Sequence, residues 1–479
     1  MAGPYHIFVP HCSDLLTDHL PHGDGLIAHG FLTSLARRGH RLHVVAHRVE
    51  LRQPLHPNIT LHVIPLRRLR GVRSRLEYMF RVRGLMRELK KSFAFDLIHQ
   101  LNPVFTGVSL ALAGSRLPLV LGTYVARWPE DPDAWTIGGG WAGQFLAGQI
   151  VARGRDLVAA LQQRRADALL ITTPAAWNRL PDPAAVRGRI HLLPHGIDTK
   201  LFSPHPEWQS EKRIRAEQQK PSILFLANVL KRKGIFTLIA AFGLVAESFP
   251  DCRLRVAGGG PDLAEARDCA ARLRCARQVE FLGHQERSCA PELYRDSTVY
   301  CLPSFGEPYG TTVVEAMSCA KSLVVTDCGA LPHLVHSTGG IRVPAGNPPA
   351  LAEALIRLLR HPEDRVSMGR YNRRLVERKM SWDKVAEQLE KVYEVTLRRQ
   401  SRSGKNKDRD FSGAPAALPI TSPEVLLNAG LSGGFVSQRF ASQGFVSQVF
   451  VDRGFVDRGF VDRGFVDQGF VDQPSGEVE

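Results

Sequence analysis

Short apolar runs and glycine-bearing turns alternate with stretches of helical spacing along most of this chain. Residues 5–10 form a brief apolar run, a loop with Gly23 and Gly25 follows, and a helix-like stretch covers 26–38. Gly39-His40 stops that helix, and residues 41–46 read as the next strand. Strand, glycine loop, helix, strand is the opening of a doubly wound α/β unit. The pattern predicts further strands at 59–64, 96–99, 118–121, 168–172 and 189–193, with helices between them.

Near Phe202 the texture changes. The stretch SPHPEWQSEKRIRAEQQKP is polar and pattern-poor, and residues 196–221 read as a linker. The alternation then restarts. Strands are expected at 222–227, 252–257, 278–282, 298–302, 322–326 and 340–343. Helices are expected at 235–248, 263–273 and 307–317, and a closing helix at 382–399. The expected organisation is an N-terminal Rossmann-like unit (1–195), the linker, a second Rossmann-like unit (222–380), a closing helix (381–400) and a tail (401–479). The fold class is therefore α/β: two doubly wound domains facing a cleft, followed by a low-complexity tail. Such sheets bind ligands beyond the carboxyl ends of their strands.

In the tail, Phe recurs every five residues from Phe435 to Phe470, the unit drifting from GFVSQ to GFVDR to GFVDQ over 435–473. Five matches neither the helical nor the strand period. A square β-helix would need a small residue where Gln or Arg mostly stands, so the repeat is expected to be a mostly disordered appendage.

Composition adds three points. The net charge is +15, with 62 basic and 47 acidic residues. Residues 1–195 hold 24 basic against 13 acidic residues, while residues 401–479 hold 8 against 10. The excess is therefore an N-terminal property. Its densest part, Arg67–Lys91, carries ten Lys or Arg with Leu76, Met79, Phe80, Leu85, Met86 and Leu89 interleaved. This stretch is a solvated surface helix or a basic amphipathic helix for an anionic membrane surface. No recognition-fold signature accompanies the charge, so nucleic acid is not an expected partner. No apolar run is long enough to span a membrane, and the N-terminus lacks the basic-then-apolar pattern of a leader. The eight cysteines show no C-x-x-C pair and no zinc spacing, and are expected to be reduced thiols in a cytoplasmic protein.

The chemistry concentrates in PSFGEPYGTTVVEAMSCAKSLVVTDCGALPHLV, residues 303–335. Pro308, Tyr309 and Gly310 make a turn, and a helix begins near Thr311. Backbone N–H groups of Gly310, Thr311 and Thr312 then point out of a helix N-terminus, which suits a diphosphate. Glu307 and Glu315 flank it, and carboxylates there can accept hydrogen bonds from sugar hydroxyls. The local order reads hydroxyl, phosphate, hydroxyl, as in a nucleotide sugar. An ordinary helix start with two incidental glutamates fits the same residues. In ILFLANVLKRKGIFTLIAAF, a strand ends at Lys231, Arg232 and Lys233, cations placed to neutralise a leaving diphosphate or simply solvated. Gly258-Gly259-Gly260-Pro261 is a tight strand-to-helix turn.

In order, these segments closely resemble the retaining glycosyltransferases of the two-domain B-type fold, glycosyltransferase family 4 (group 1), over residues 5–400. EPYGTTVVE matches the family's two glutamates separated by seven residues. LLPHGIDTKLF resembles its inter-domain strand, HGDGLIAHGFLTSLARRGHRLHVV its glycine loop, helix and GH turn, and FDLIHQLNP its central N-domain strand. The resemblance implies transfer of a sugar from a nucleotide-diphosphate donor to a hydroxyl acceptor, a saccharide or lipid-linked, without metal or other cofactor. By the resemblance, Glu307 contacts the donor sugar and Glu315 the ribose. Gly310, Thr311 and Lys233 hold the diphosphate, with Gly23 and Gly25 approaching from the other domain. The chain departs from the family at Asn228, where Arg is common, with Lys231 or Arg232 a substitute charge. Tyr124 stands where a cleft His is usual, with His99 a second polar candidate. Further departures are Ala320, Ser322 and His333. Asp131 and Asp133 form a D-x-D on a Pro-rich loop and read as surface. The alternatives are another two-domain sugar enzyme, such as a nucleotide-sugar epimerase or a phosphorylase, or a binding scaffold with an impaired transferase domain.

Overall fold

In a computed structural model, the described residues are 3–20, 22–66, 72–127 and 141–402, without the side chains of 72, 141–152 and 402. The chain divides into Met1–Thr421 and Ser422–Glu479. The Phe repeat, the D-x-D of Asp131 and Asp133, and Arg67, Arg68 and Arg70 lie outside the described residues.

Two parallel sheets form the frame. The first has seven strands: His6–Val9, Arg41–Ala46, Ile59–Val63, Leu97–Gln100, Leu119–Tyr124, Ala168–Ile171 and Ile190–Leu192. Numbered along the chain, they lie in the order 3-2-1-4-5-6-7. The second has six: Ser222–Leu226, Arg253–Ala257, Val279–Gly283, Val299–Leu302, Ser322–Thr326 and Gly340–Val343, in the order 3-2-1-4-5-6. Each order reverses beside its first strand, the switch point at which α/β sheets open a ligand crevice.

Strand alternation explains how the N-terminal sheet is buried on both faces. Ile7, Val9, Val44, Ala46, Leu97 and Val120 point to one core, shared with the Gly23–Arg37 helix. Phe8, Val45, Ile98, Leu119 and Leu121 point to the other, under the Val72–Leu89 helix. Helices cover both faces, so the strands carry continuous apolar runs.

The chain crosses between lobes twice, side by side. The Ile197 N–H donates to Met380 O at 2.8 Å, and the Trp382 N–H donates to Ile197 O at 3.3 Å. Trp382 opens the closing helix Trp382–Arg402, which returns to the N-terminal lobe. Val385, Ala386, Leu389 and Tyr393 join that lobe's core, and Arg38 and His40 both meet Glu390. The Trp382 indole is slotted between Gly30 and Gly196, where any Cβ would overlap it.

The expected linker at 196–221 is corrected. Phe202 is fully buried in the C-terminal core, and Glu211–Gln219 is a helix whose first turn is capped by Ser210, accepting from the Arg213 N–H at 3.2 Å. Its polarity misled because this short helix is held by polar contacts: Arg213 donates to Arg295 O and pairs with Glu217.

Candidate active site

The strand Ser222–Leu226 leads into a tight turn at Lys231–Lys233 that ends at Gly234, in the left-handed region at φ 76°. A side chain at Gly234 would overlap Pro303 O, so glycine brings this turn against the end of the Val299–Leu302 strand. Lys233 thereby reaches Glu307: Nζ donates to Oε2 at 2.6 Å, with side chains 14% and 9% exposed. Lys231 does not join them. Its exposed ammonium pairs with Glu265 at 2.9 Å, which raises its pKa. Asn228 is exposed and adds no charge.

Gly310, at φ 97°, is the N-cap of the helix Thr311–Ser318, and no side chain caps that end. Among the described residues, none accepts from the N–H groups of Gly310, Thr311 or Thr312. These are the orphan donors of a helix N-terminus, reinforced by its dipole. The Thr312 hydroxyl turns inward to Tyr300, at 2.8 Å. Glu315, one turn along, is only 3% exposed. Arg287 Nη1 donates to its Oε1 at 2.9 Å, and the Tyr294 hydroxyl lies 3.0 Å from its Oε2. Burial raises the Glu315 pKa, and Arg287 and Tyr294 pull against that rise. The expected ribose contact is therefore a carboxylate whose two oxygens already have protein partners.

The lobes meet at Tyr309 and His195. The Tyr309 hydroxyl accepts from the His195 N–H at 3.0 Å and donates to His195 O at 3.2 Å. The His195 ring leans on Tyr309, its Nε2 lies 2.7 Å from Thr123 Oγ1, and its buried Nδ1 has no protein partner. Burial pulls the His195 pKa to about 3, so the ring is neutral near pH 7. The Ala126 N–H donates to Pro308 O at 3.1 Å beside it. Between the Gly23–Arg37 helix and the C-terminal lobe lies a cavity of about 230 Å³, lined by Gly23, His195, Arg287, Tyr309 and Thr311 among others. Lys233 and Glu307 do not line it. They stand at the neighbouring strand ends, joined to it through the 307–311 turn.

Three expectations for the N-terminal side are corrected. Gly23 opens on the cavity, but Gly25 is buried against its own loop, where a side chain would overlap Leu15 O. Tyr124 is a core residue, 4% exposed, because the strand register shifts between Leu121 and Tyr124. That irregularity presents Thr123, not Tyr124, to His195. His99 is internal as well: its Nδ1 meets the Tyr393 hydroxyl at 2.6 Å and its Nε2 meets Gly122 O at 2.9 Å. Sequence reasoning missed His195 and Arg287. The available signal was the one used for Lys233, a polar or basic residue at the carboxyl end of a strand.

The basic helix also differs from its expected face. Tyr78, Val82 and Met86 are buried, with Met79, Leu85 and Leu89 packed beside them. Leu76 (45% exposed) and Phe80 (70%) point outward with exposed Arg83 and Arg87, at positions sharing one helix face.

Among the described residues, no helix is long and apolar enough to cross a membrane, and no His, Cys, Asp or Glu group could hold a metal. All eight cysteines are free thiols.

The comparisons divide the chain where it crosses between lobes. Residues 25–201 match the family model "Glycosyltransferase Family 4", and residues 206–375 match "Glycosyl transferases group 1". An uncharacterized glycosyltransferase of Methanocaldococcus jannaschii is 27% identical over 45% of this chain and 56% of its own, so the chain spans about half the length of that relative. The N-acetyl-alpha-D-glucosaminyl L-malate synthase of Bacillus anthracis is 22% identical over 80% of this chain and 96% of its own. Anabaena HepE, solved with UDP, shares the fold with a TM-score of 0.62 at 17% identity, covering 82% of this chain and 100% of that one. Two lobes, two switch points and two family matches agree: the chain has the two-domain GT-B fold, its N-terminal lobe similar to the glycosyltransferase family 4 model and its C-terminal lobe to the group 1 glycosyl transferase model.

Proposed function

We propose that this protein is a retaining glycosyltransferase that moves a sugar from a nucleotide-diphosphate donor to a hydroxyl acceptor without a metal. The observation that carries this reading is the Lys233–Glu307 pair at 2.6 Å beside an uncapped helix N-terminus. As the bond from the sugar to the diphosphate breaks, negative charge develops on the departing phosphate. Lys233 and the N–H groups at Gly310 and Thr311 meet that charge in a shielded site, the role a metal would otherwise fill. Glu307 carries the complementary charge for the oxocarbenium-like sugar and its hydroxyls. The acceptor oxygen attacks the face the leaving group vacates, and its proton passes to the departing phosphate oxygen.

The acceptor side is the N-terminal lobe. We assign it a saccharide or lipid-linked acceptor reached at an anionic membrane surface, because Leu76 and Phe80 stand exposed among Arg83 and Arg87. On this reading the protein works at a membrane's cytoplasmic face, as a peripheral rather than a spanning protein.

A thermal-shift panel of nucleoside diphosphates tests donor binding, beginning with UDP, the ligand of the Anabaena structure. Binding at 100 times Kd stabilises by about 2.7 kcal/mol. One diphosphate should raise Tm clearly, and a panel with no response contradicts the reading.

A further inference from the structure

We propose that Tyr309 is a positioning residue for transfer, its hydroxyl tying the donor-holding turn to the segment where the chain crosses between lobes. This inference rests on the donor reading above and deepens it.

The turn 307–311 belongs to the C-terminal lobe, yet both lobes hold it. Its first residue is held from its own lobe. The Ala330 N–H donates to Glu307 O at 2.8 Å, and Lys233 meets the Glu307 side chain. Its next two residues are held from the other side. The Ala126 N–H, just past the Leu119–Tyr124 strand, donates to Pro308 O at 3.1 Å. The Tyr309 hydroxyl takes both backbone groups of His195, accepting from its N–H at 3.0 Å and donating to its carbonyl at 3.2 Å. Gly310 follows at once and opens the uncapped helix.

His195 sits where lobe orientation is felt. Two residues earlier, Leu193 lies in the N-terminal core, and its N–H donates to Ile171 O at 2.9 Å. Two residues later, Ile197 bonds Met380 and Trp382 at the second crossing. The His195 ring is fixed to the N-terminal sheet as well, with Nε2 2.7 Å from Thr123 Oγ1. Turning one lobe against the other therefore moves His195 relative to the turn, unless the Tyr309 hydroxyl carries the turn with it.

The ring of Tyr309 is core packing that phenylalanine would match, being 4% exposed among apolar neighbours. The hydroxyl adds only the two bonds to His195. The tie is uncharged near pH 7: burial pushes the Tyr309 phenol up and pulls His195 to about 3. The hydroxyl touches neither Lys233 nor the N–H groups of Gly310 and Thr311. Holding a diphosphate needs the C-terminal lobe alone, whereas transfer needs the acceptor lobe set against it. Losing the hydroxyl should therefore separate binding from turnover.

The test compares the full chain as wild type and as Tyr309→Phe. With the donor that a nucleotide-sugar panel identifies, Tyr309→Phe should lower kcat about tenfold, the value of the hydrogen bonding lost. The Kd of the matching nucleoside diphosphate, read by calorimetry, should stay within about twofold. In the free protein, hydrogen exchange at the Ala126 amide should quicken about tenfold, while the Arg253–Ala257 strand exchanges as before. Unchanged kcat, or unchanged exchange at Ala126, overturns the inference. So does a diphosphate affinity that falls as far as kcat, because the hydroxyl then supports the donor site alone. Wild type that consumes no donor overturns the donor reading instead, and the exchange measurement still decides the tie.

Discussion

Lys233 and Glu307 are 74 residues apart in sequence and 2.6 Å apart in space, and each satisfies the other's charge before any substrate arrives. The pair is mostly buried, so removing either partner leaves an uncompensated charge. Lys233→Ala and Glu307→Ala should each lower sugar transfer by about 10²–10³-fold and stability by about 2–3 kcal/mol. The double variant should recover part of the stability and none of the activity. Urea unfolding beside a donor-consumption assay reads both, and activity recovered with stability would refute the assigned roles.

Gly30→Ala places a methyl inside the Trp382 indole, at the seam between the Gly23–Arg37 helix and the closing helix. Such overpacking should cost about 1–3 kcal/mol. In a Trp382→Ala background, the space is vacated and the same substitution should cost almost nothing. Equal costs in both backgrounds would show that Trp382 is not the obstacle.

Phe80→Glu with Leu76→Glu changes two exposed side chains, so stability should shift by no more than about 0.5 kcal/mol. Sedimentation with vesicles containing anionic lipid should fall strongly, and wild-type sedimentation should weaken with salt. Wild type that ignores both lipid charge and salt leaves this face a plain solvated surface.

Acid should destabilise the protein through its buried histidines. Burial holds His99 at about 4 and His195 at about 3, against an ordinary value near 6.5 when unfolded. The unfolded chain takes up protons that the folded chain refuses, so their stability is present above pH 6.5 and lost as pH falls toward 4. Each histidine adds about 1.4 kcal/mol per pH unit to that slope. His99→Gln should flatten it, and an unchanged slope would exclude His99 as a contributor.

The frame was legible because strand patterns survive folding. Arg41–Ala46, Ser322–Thr326, Gly340–Val343 and the helix Ile235–Ser248 lie where hydrophobic runs and turns predict them. Lys233, Glu307, Gly310 and Thr311 were legible for a related reason: a strand end and a helix start fix them locally. What failed depended on facing. Tyr124 and Thr123 are adjacent, and only the register shift decides which reaches the cleft. His99 looked polar and available, but its partners are Tyr393 and Gly122, the former 294 residues away. The partners on the Glu315 oxygens, Arg287 and Tyr294, come from other elements, and no spacing in the sequence pointed to them. The 196–221 segment hid a helix because its contacts are polar rather than apolar.

The central claim is that the Lys233–Glu307 site transfers a sugar with retention. The most direct measurement is a proton NMR time course of a nucleotide-sugar panel, followed at the anomeric position. The account predicts that wild type consumes one donor and that the first product formed keeps the donor's anomeric configuration, while Lys233→Ala consumes it about 10²–10³-fold more slowly. A first product of inverted configuration, or a panel from which wild type consumes nothing, would contradict it.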